Sequence, residues 1–433
     1  MRVQRCKGTQ DLSPEEMRRF RLIEGVFRDC CLKWGYQEVR TPTLEYLHLF
    51  TSTGTLTPSR LGKVYSFLDW DGWSGERVVL RPDGTIPIAR LYIDTMEGKE
   101  LAKLFYVTNV FIFEETGKET REKWQCGAEL IGPPAKELPP AKPWRAGVRR
   151  AGAGSTTADV ELVLLSLKVL KKLGLEGVEL KLSHAGLIRA LLAEFGLSLE
   201  EQARVFDQIL DGDEEVLNKI KSESPELGRN LTPLLDLKGK SSGFLKNLKA
   251  LFNQDLPELG PSLSNFVNVV ELLEEMGVNY QIDITSGRGF EYYTGVMFRL
   301  LAGGEHIGGG GRYDALIPLM GGRDIPASGF ALYLDRLMAL VKPEPLAKPA
   351  TQRILIKAEP KERVLKEAFG LADALHEAGY AAEVDLGGQE PADLKWRLNV
   401  QSKAPLFILT DRTSQQKFEA QTKEEVLNLL RKV

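Results

Sequence analysis

Cysteine is scarce in this chain: four residues in 433, Cys6, Cys30, Cys31 and Cys126. None falls into a paired C-x-x-C spacing, and the adjacent Cys30 and Cys31 fit neither a redox motif nor a zinc ribbon. No disulfide framework or cysteine zinc site is expected, and a reducing cytoplasm is the simplest setting. Histidine is as sparse, with His48, His184, His306 and His376 far apart in the chain, so no histidine metal signature arises. No apolar run approaches the roughly 18 residues that a membrane helix needs. The opening MRVQRCKGTQDLSPEE lacks the apolar stretch of a signal peptide. A large excess of one charge sign is also missing. With 57 Lys and Arg against 60 Asp and Glu, the formal net charge is -3, which is not the footprint of a protein that coats nucleic acid. What is present is an ordinary globular mixture, 43% hydrophobic and 27% charged, long enough for two or three domains.

Ser13-Pro14-Glu15-Glu16 reads as a helix start, with a capping residue, a proline and two acids in order. The helix is expected to run to about Lys33, where Gly35 breaks it. Pro42 marks a strand end in YQEVRTPTLE. Residues 76–90 read as strand, turn and helix. LFYVTNVFIF and KWQCGAELIG read as a long antiparallel hairpin across the polar loop EETGKETRE. The Pro-rich stretch 133–155, ending RAGVRRAGAG, reads as an exposed loop. An amphipathic helix is predicted over 158–174. Residues 176–275 read as a mainly helical insertion between two parts of one core, 1–175 and 276–341. KPEPLAKPA at 342–350 reads as a linker. Residues 351–433 then read as a small α/β domain in βαβαβ order, with its second helix around Ala392–Val400.

Several short motifs could carry chemistry. In GGGGRYDAL, from Gly308, four glycines permit positive φ and close approach of backbone to a ligand, though a tight turn explains them equally. RPDGT, residues 81–85, places Arg81 and Asp83 in a turn where they need be no more than an ion pair. TSGRGFEYYTG sets Arg288, Glu291, Tyr292 and Tyr293 among glycines, but tyrosines in strands are commonly core or cross-strand pairs. His306, beside the glycines, is a weaker ligand candidate. Asp159 and Glu161 read as surface or packing residues.

The order of these motifs is more specific than any one of them. RTPTLE, RPDGT, a hairpin ending WQCGAELIG, RGFEYYTG, GGGRYD and GFALYLDRL follow one another as in the catalytic core of the histidyl-tRNA synthetase family, which the chain resembles over roughly residues 5–132, 156–200 and 276–341. The resemblance implies an α+β fold of the class II aminoacyl-tRNA synthetase type. It implies an antiparallel sheet of roughly six or seven strands flanked by helices, a helical insertion and a small C-terminal α/β domain like an anticodon-binding domain. Pro42 would lie in the dimer-forming first motif, the hairpin would be the second, and Arg336 would belong to the third. The family's histidine pocket would fall on Asp83, Gln125, Glu129, Arg288, Tyr292, Tyr293 and Tyr313. Asp83 and Gln125 would take the ammonium, Glu129 and Tyr293 the imidazole, and Arg288 the carboxylate. Such charge-assisted contacts contribute about 1.5–3 kcal/mol each when shielded from water.

The pattern breaks at one critical position. The family's second motif carries an Arg two residues before a Glu, and that Arg grips the ATP α-phosphate. Here Ile112 precedes Phe113 and Glu114. Losing such a donor typically costs on the order of 10²–10³ in rate, which Lys118 or Arg121 would have to make good. Trp124 also stands where the family has a smaller side chain. From Thr351 to Val433, 13 Lys and Arg face 13 Asp and Glu, not the basic excess that tRNA binding favours.

One branch of this family has lost aminoacylation and resembles the chain in RPDGTIPIAR, TNVF, CGAELIG and LDRL: the regulatory subunits of ATP phosphoribosyltransferase. On that reading the expected partners are L-histidine, a catalytic ATP phosphoribosyltransferase subunit and a second copy of the chain, with tRNA not favoured and no membrane. No cofactor is required, and ATP with Mg would enter only if nucleotide binding is retained. A divergent histidyl-tRNA synthetase, with Arg288, Arg336, Arg121 and Glu114 as catalytic residues, remains an alternative. So does an amino-acid-binding protein outside both pathways.

Overall fold

The structure, a computed structural model, describes residues 4–54, 56, 61–70, 75–96, 98, 101–113, 120–132, 153–193, 238–252, 259–284, 293–342, 353–387, 390 and 394–432. The chain divides into two compact units, Met1–Lys342 and Pro343–Val433. Among the described residues no helix is long and apolar enough to cross a membrane. The segment 133–152, the linker 343–350 and the residues Glu114, Lys118, Arg288, Glu291 and Tyr292 lie outside the described residues.

The first helix forms where its sequence signals put it, over Pro14–Lys33. Ser13 and Glu16 close a reciprocal cap. The Glu16 amide donates to Ser13 Oγ at 3.3 Å, and the Ser13 amide donates to Glu16 Oε2 at 2.7 Å. Phe20, Ile23, Phe27 and Cys30 recur at helical spacing and are buried. Phe27 meets Phe105 and Phe330 edge to face, which lays this helix on the back of the main sheet.

That sheet has nine strands: β1 (Gln37–Glu38), β5 (Ala102–Phe111), β6 (Glu122–Ile131), β7 (Glu179–His184), β8 (Lys238–Gly239), β9 (Gln281–Asp283), β10 (Val296–Ala302), β11 (Glu305–Arg312) and β12 (Ala327–Tyr333). They lie in the order β1-β5-β6-β12-β11-β10-β7-β9-β8. Only the pairs β1/β5 and β7/β9 are parallel. The sheet exceeds the roughly six or seven strands expected because the short strands β1, β9 and β8 extend its ends. β7 comes from the stretch read as a mainly helical insertion. Its alternating Leu180, Leu182 and His184 point inward, and it pairs with β10 along its whole length. A separate three-stranded antiparallel sheet joins β2 (Leu44–Tyr46), β4 (Gly75–Leu80) and β3 (Ser66–Trp70) in that order.

The glycine quartet is not a turn. Gly308 to Gly311 lie inside β11, paired on both sides, and none of the four has a positive φ. The turn before β11 is made by Gly303 and Gly304, at φ 58° and 81°. What the quartet supplies is close approach: a Cβ at Gly310 would sit 2.2 Å from the carbonyl oxygen of Gly329.

The second unit carries a five-stranded sheet in the order β14-β13-β15-β16-β17. These strands are β13 (Arg353–Ala358), β14 (Ala381–Val384), β15 (Leu394–Val400), β16 (Phe407–Asp411) and β17 (Lys417–Ala420). β14, β13 and β15 run parallel, and β16 and β17 are antiparallel. The helix expected around Ala392–Val400 is instead strand β15. Leu394, Trp396, Leu398 and Val400 are buried at every second position, the period of a strand, and β15 is hydrogen-bonded on both edges. The helices Glu362–Glu377 and Lys423–Lys432 contribute Val364, Leu371, Leu375, Val426 and Leu430 to the core around the wholly buried Trp396.

Candidate functional site

Across the face of the main sheet opposite the first helix, register sets polar side chains around a glycine floor. Gln125, Gly127 and Glu129 alternate along β6 and share one face. β12 places Tyr333, Ala331 and Gly329 directly beside them. β11 then sets Gly309 beside Ala331 and Gly311 beside Gly329. Side chains directly opposite in paired strands point the same way, so this face is a shallow bed with almost no side-chain volume at its centre. Above it lies a small cavity, partly open to solvent, lined by Asp83, Thr85, Gln125, Tyr293 and Tyr313 together with the backbone of β11 and β12.

RPDGT forms the cavity's acidic wall. Arg81 and Asp83 do not pair with each other. Arg81 is a buried brace whose guanidinium donates to the carbonyls of Thr41, Pro42 and Asn109 and to Asn109 Oδ1. Asp83 turns the other way. Its Oδ1 accepts from the Ile86 amide at 3.0 Å, at the start of the helix Thr85–Thr95. Its Oδ2 is buried and has no hydrogen-bond partner among the described residues. Burial pushes the Asp83 carboxyl up to about 6, against the pull of the Ile86 and Thr85 amides. A buried carboxylate oxygen without a donor is costly unless something brings one. Gln125 Oε1 accepts from the Gly84 amide at 3.2 Å, which leaves its amide NH₂ for the cavity.

Glu129 lies behind this wall. Its Oε1 accepts from the Thr85 hydroxyl at 2.8 Å and the Tyr106 hydroxyl at 3.2 Å, and its Oε2 accepts from the Tyr313 hydroxyl. Burial drives its carboxyl up to about 8, with the three hydroxyls pulling it down. Tyr293 packs against Tyr313, ring centroids 6.4 Å apart. Five of the seven residues expected in the pocket, Asp83, Gln125, Glu129, Tyr293 and Tyr313, therefore come together, while Arg288 and Tyr292 lie outside the described residues.

Of the residues expected to serve ATP chemistry, the two among the described residues, Arg336 and Arg121, do not line this cavity. Arg336, on the helix Leu334–Leu340, is half exposed and pairs with Glu305 at 2.7 Å. Arg121 lies with its guanidinium 4.4 Å from the centre of the Phe113 ring. The Ile112 amide donates to the Arg121 carbonyl, so Ile112 and Arg121 face each other at the mouth of the hairpin. Trp124 packs edge-on against Phe20, and its amide donates to Asp335 Oδ2 at 2.6 Å.

Two features escape a reading of single motifs. Tyr106, seen only as an apolar strand residue, contributes a hydroxyl to Glu129. Asp159, read as surface or packing, is buried and ion-paired to Arg312, with Arg312 Nε 3.3 Å from Asp159 Oδ1. Arg312 also accepts at its carbonyl from the Thr294 amide at 2.8 Å, and the Asp314 amide donates to Thr294 Oγ1. This ties the segment that follows Tyr293 to the one that carries Tyr313. The signal available in the sequence was the polar RYD after the glycines. Its partner lies 153 residues away.

The family described as Histidyl-tRNA synthetase matches residues 8–138 and 134–337. A protein of Dehalococcoides mccartyi named "ATP phosphoribosyltransferase regulatory subunit" is 49% identical over 428 residues, 99% of this chain and 98% of the relative. A Methanosarcina acetivorans protein named "Histidine--tRNA ligase" is 34% identical over 386 residues, 87% of this chain and 83% of the relative. Among solved structures, a Bacillus halodurans protein described as an ATP phosphoribosyltransferase regulatory subunit/histidyl-tRNA synthetase superposes with a TM-score of 0.74 at 24% identity, covering 93% of this chain and 100% of that one.

Proposed function

Starting from a chain that belongs to the histidyl-tRNA synthetase family, we propose that it is a histidine-sensing regulatory subunit of ATP phosphoribosyltransferase rather than an enzyme that charges tRNA. The observation that carries the ligand assignment is the buried Asp83 Oδ2, lining a small cavity and lacking a donor. An ammonium supplies that donor and offsets the charge. The Gln125 side chain stands beside it, and the Glu129 and Tyr313 pair closes the far side for an imidazole. Arg288 is the proposed partner for the ligand's carboxylate. The relatives at 49% identity carry the regulatory name, and Ile112 supports the loss of adenylation, because an alkyl side chain cannot donate to a phosphate.

Histidine bound here regulates only if the complex with a catalytic ATP phosphoribosyltransferase subunit has two states of different histidine affinity. Pairing of two copies through the region of Pro42 is part of the same reading. Leu44 and Tyr46 on β2 and Phe67 on β3 are exposed there, apolar residues that a second copy would cover. The setting proposed is the cytoplasm.

The 34% identical ligase relatives favour the second reading, a divergent synthetase. Calorimetry with L-histidine, and histidine-dependent pyrophosphate exchange in the same buffer, separate the two. Binding without exchange is the expected result. Robust exchange overturns the regulatory reading, and absence of both signals overturns the histidine pocket.

A further inference from the structure

The two described helices of the second unit both pack on the face of its sheet that carries Trp396 and Leu398. Alternation along the strands turns Lys357 on β13, Lys395 and Arg397 on β15 and Lys417 on β17 to the opposite face, with Glu383 and Glu419 as its acids. Near the centre of that face three cations converge on one carboxylate. Glu390, between β14 and β15, accepts from Arg397 Nη2 with both oxygens, at 2.7 and 2.8 Å. Lys357 Nζ stands 3.0 Å from its Oε1, and Arg412 Nη2 stands 3.7 Å from its Oε2. Lys357 first and Arg397 next hold the Glu390 carboxyl down to about 2, so the position favours an anion. The fit to Arg397 is incomplete. Both Glu390 oxygens crowd one nitrogen, while Arg397 Nε is buried and has no hydrogen-bond partner among the described residues. A guanidinium holds a carboxylate best through two parallel bonds from two nitrogens, and a buried donor left unused is costly.

We propose that this face of the second unit docks an acidic segment of a partner protein, and that Glu390 is an internal stand-in which a partner carboxylate displaces. The incoming group takes Arg397 through Nε and Nη2 together, with Lys357 and Arg412 beside it. The group already seated there is a peptide carboxylate, so the charge and spacing of the site accept that chemistry. Asp385 stays 3.3 Å from Lys357 when Glu390 leaves, so the exchange centres on Arg397 and Arg412. Nucleic acid is the poorer occupant. Its affinity comes from many phosphate contacts along a cationic track, whereas Glu383 and Glu419 interrupt the cations of this face, and a short acidic segment needs only the local cluster. A site closed part of the time by its own side chain binds more weakly by that fraction. The surface therefore serves best as one contact of a larger assembly, where a second contact raises the effective concentration of the acidic segment. The inference concerns the second unit alone and does not rest on the histidine reading.

The test titrates the full-length protein at low salt with hexaglutamate and, separately, with hexathymidylate, a single-stranded DNA of similar charge, both by calorimetry. The parent binds hexaglutamate weakly, and more weakly as salt rises. Glu390→Gln keeps the size of the side chain, removes the internal carboxylate and tightens hexaglutamate about three- to tenfold. Adding Arg397→Lys to Glu390→Gln keeps the charge but removes the two-nitrogen fork, and returns the affinity to the parent's level or below. Adding Lys357→Gln instead probes the same cluster at a partly exposed position, where loss of folding is not at stake, and weakens binding about two- to fivefold. Thermal unfolding of each variant verifies that folded proteins are compared. Equal affinity in the parent and Glu390→Gln overturns the stand-in role of Glu390. No binding by Glu390→Gln, or binding that survives both cation changes, overturns the docking surface. Hexathymidylate that binds more tightly than hexaglutamate, and is lost in the same variants, makes this a phosphate site and overturns the acidic protein partner.

Discussion

Asp83→Asn should make the ligand-free protein more stable at neutral pH and less able to bind histidine. The two effects have one cause. The carboxyl is 2% exposed and burial has moved it from 3.8 to about 6. Because its folded value is raised, the folded protein holds an extra proton between about pH 4 and pH 6. Stability from this group is fully present below pH 4, declines as pH rises through about 6, and is lowest above that. A shift of about two units corresponds to a loss on the order of 3 kcal/mol at pH 7. The asparagine variant does not suffer this loss. Its amide nitrogen, set where Oδ2 lacks a partner, needs an acceptor and returns about 1–3 kcal/mol of the gain. The net expectation is a rise of a few degrees in Tm at pH 7 that vanishes near pH 4. Histidine affinity should fall roughly 10- to 100-fold, the worth of one shielded charge-assisted contact of ~1.5–3 kcal/mol. Differential scanning calorimetry at pH 4 and 7, with and without histidine, measures both. If the variant binds histidine as well as the parent, Asp83 does not receive the ammonium. If the stability difference between variant and parent is the same at both pH values, Asp83 is not a buried, strained carboxylate.

Three further perturbations follow from the packing. Asp159→Ala leaves Arg312 buried without its carboxylate and should destabilise the protein by about 3–5 kcal/mol in urea unfolding. A loss below 1 kcal/mol would mean that water already reaches Arg312. Gly310→Ala sets a methyl 2.2 Å from the Gly329 carbonyl oxygen, and two strands must part to admit it. A destabilisation of about 1–3 kcal/mol or more is expected, read as a lowered denaturation midpoint. Trp396→Ala empties the centre of the second unit's core and should cost about 3–5 kcal/mol. Hydrogen exchange should rise across β13, β15 and β16, and an unchanged pattern there would contradict the packing described for Trp396.

Much of the main sheet was legible because its strands advertise themselves locally. The hairpin of β5 and β6 has two apolar runs on either side of a polar loop, and RPDGT sits between an apolar strand and a proline-started helix. Pocket residues were legible only through the order of the motifs. Nothing in Asp83 or Gln125 taken alone separates a ligand contact from a turn residue. Glycine composition misled at Gly308–Gly311, since four consecutive glycines suit a turn and a crowded strand equally. The deciding fact is the closeness of β10 and β12 on either side, which no local spacing reports. Leu394–Val400 misled for a related reason. Leu, Trp, Leu and Val at alternate positions over seven residues carry the strand period, but the run is short and alternation between helix and strand favoured the other assignment.

By itself the sequence determined the capped first helix, the hairpin, the absence of a cysteine or histidine metal spacing, and the substitution of Ile112. Each depends on neighbours within a few residues, where capping, alternation and composition act. Only the tertiary structure decided that Arg81 braces carbonyls while Asp83 keeps a bare oxygen. It alone decided that Asp159 meets Arg312, that β7 enters the main sheet, and that Tyr106 reaches Glu129. Those relations join residues separated by tens to hundreds of positions. Their energies come from burial and from hydrogen bonds that must be satisfied once water is gone, a condition that exists only after the chain has folded.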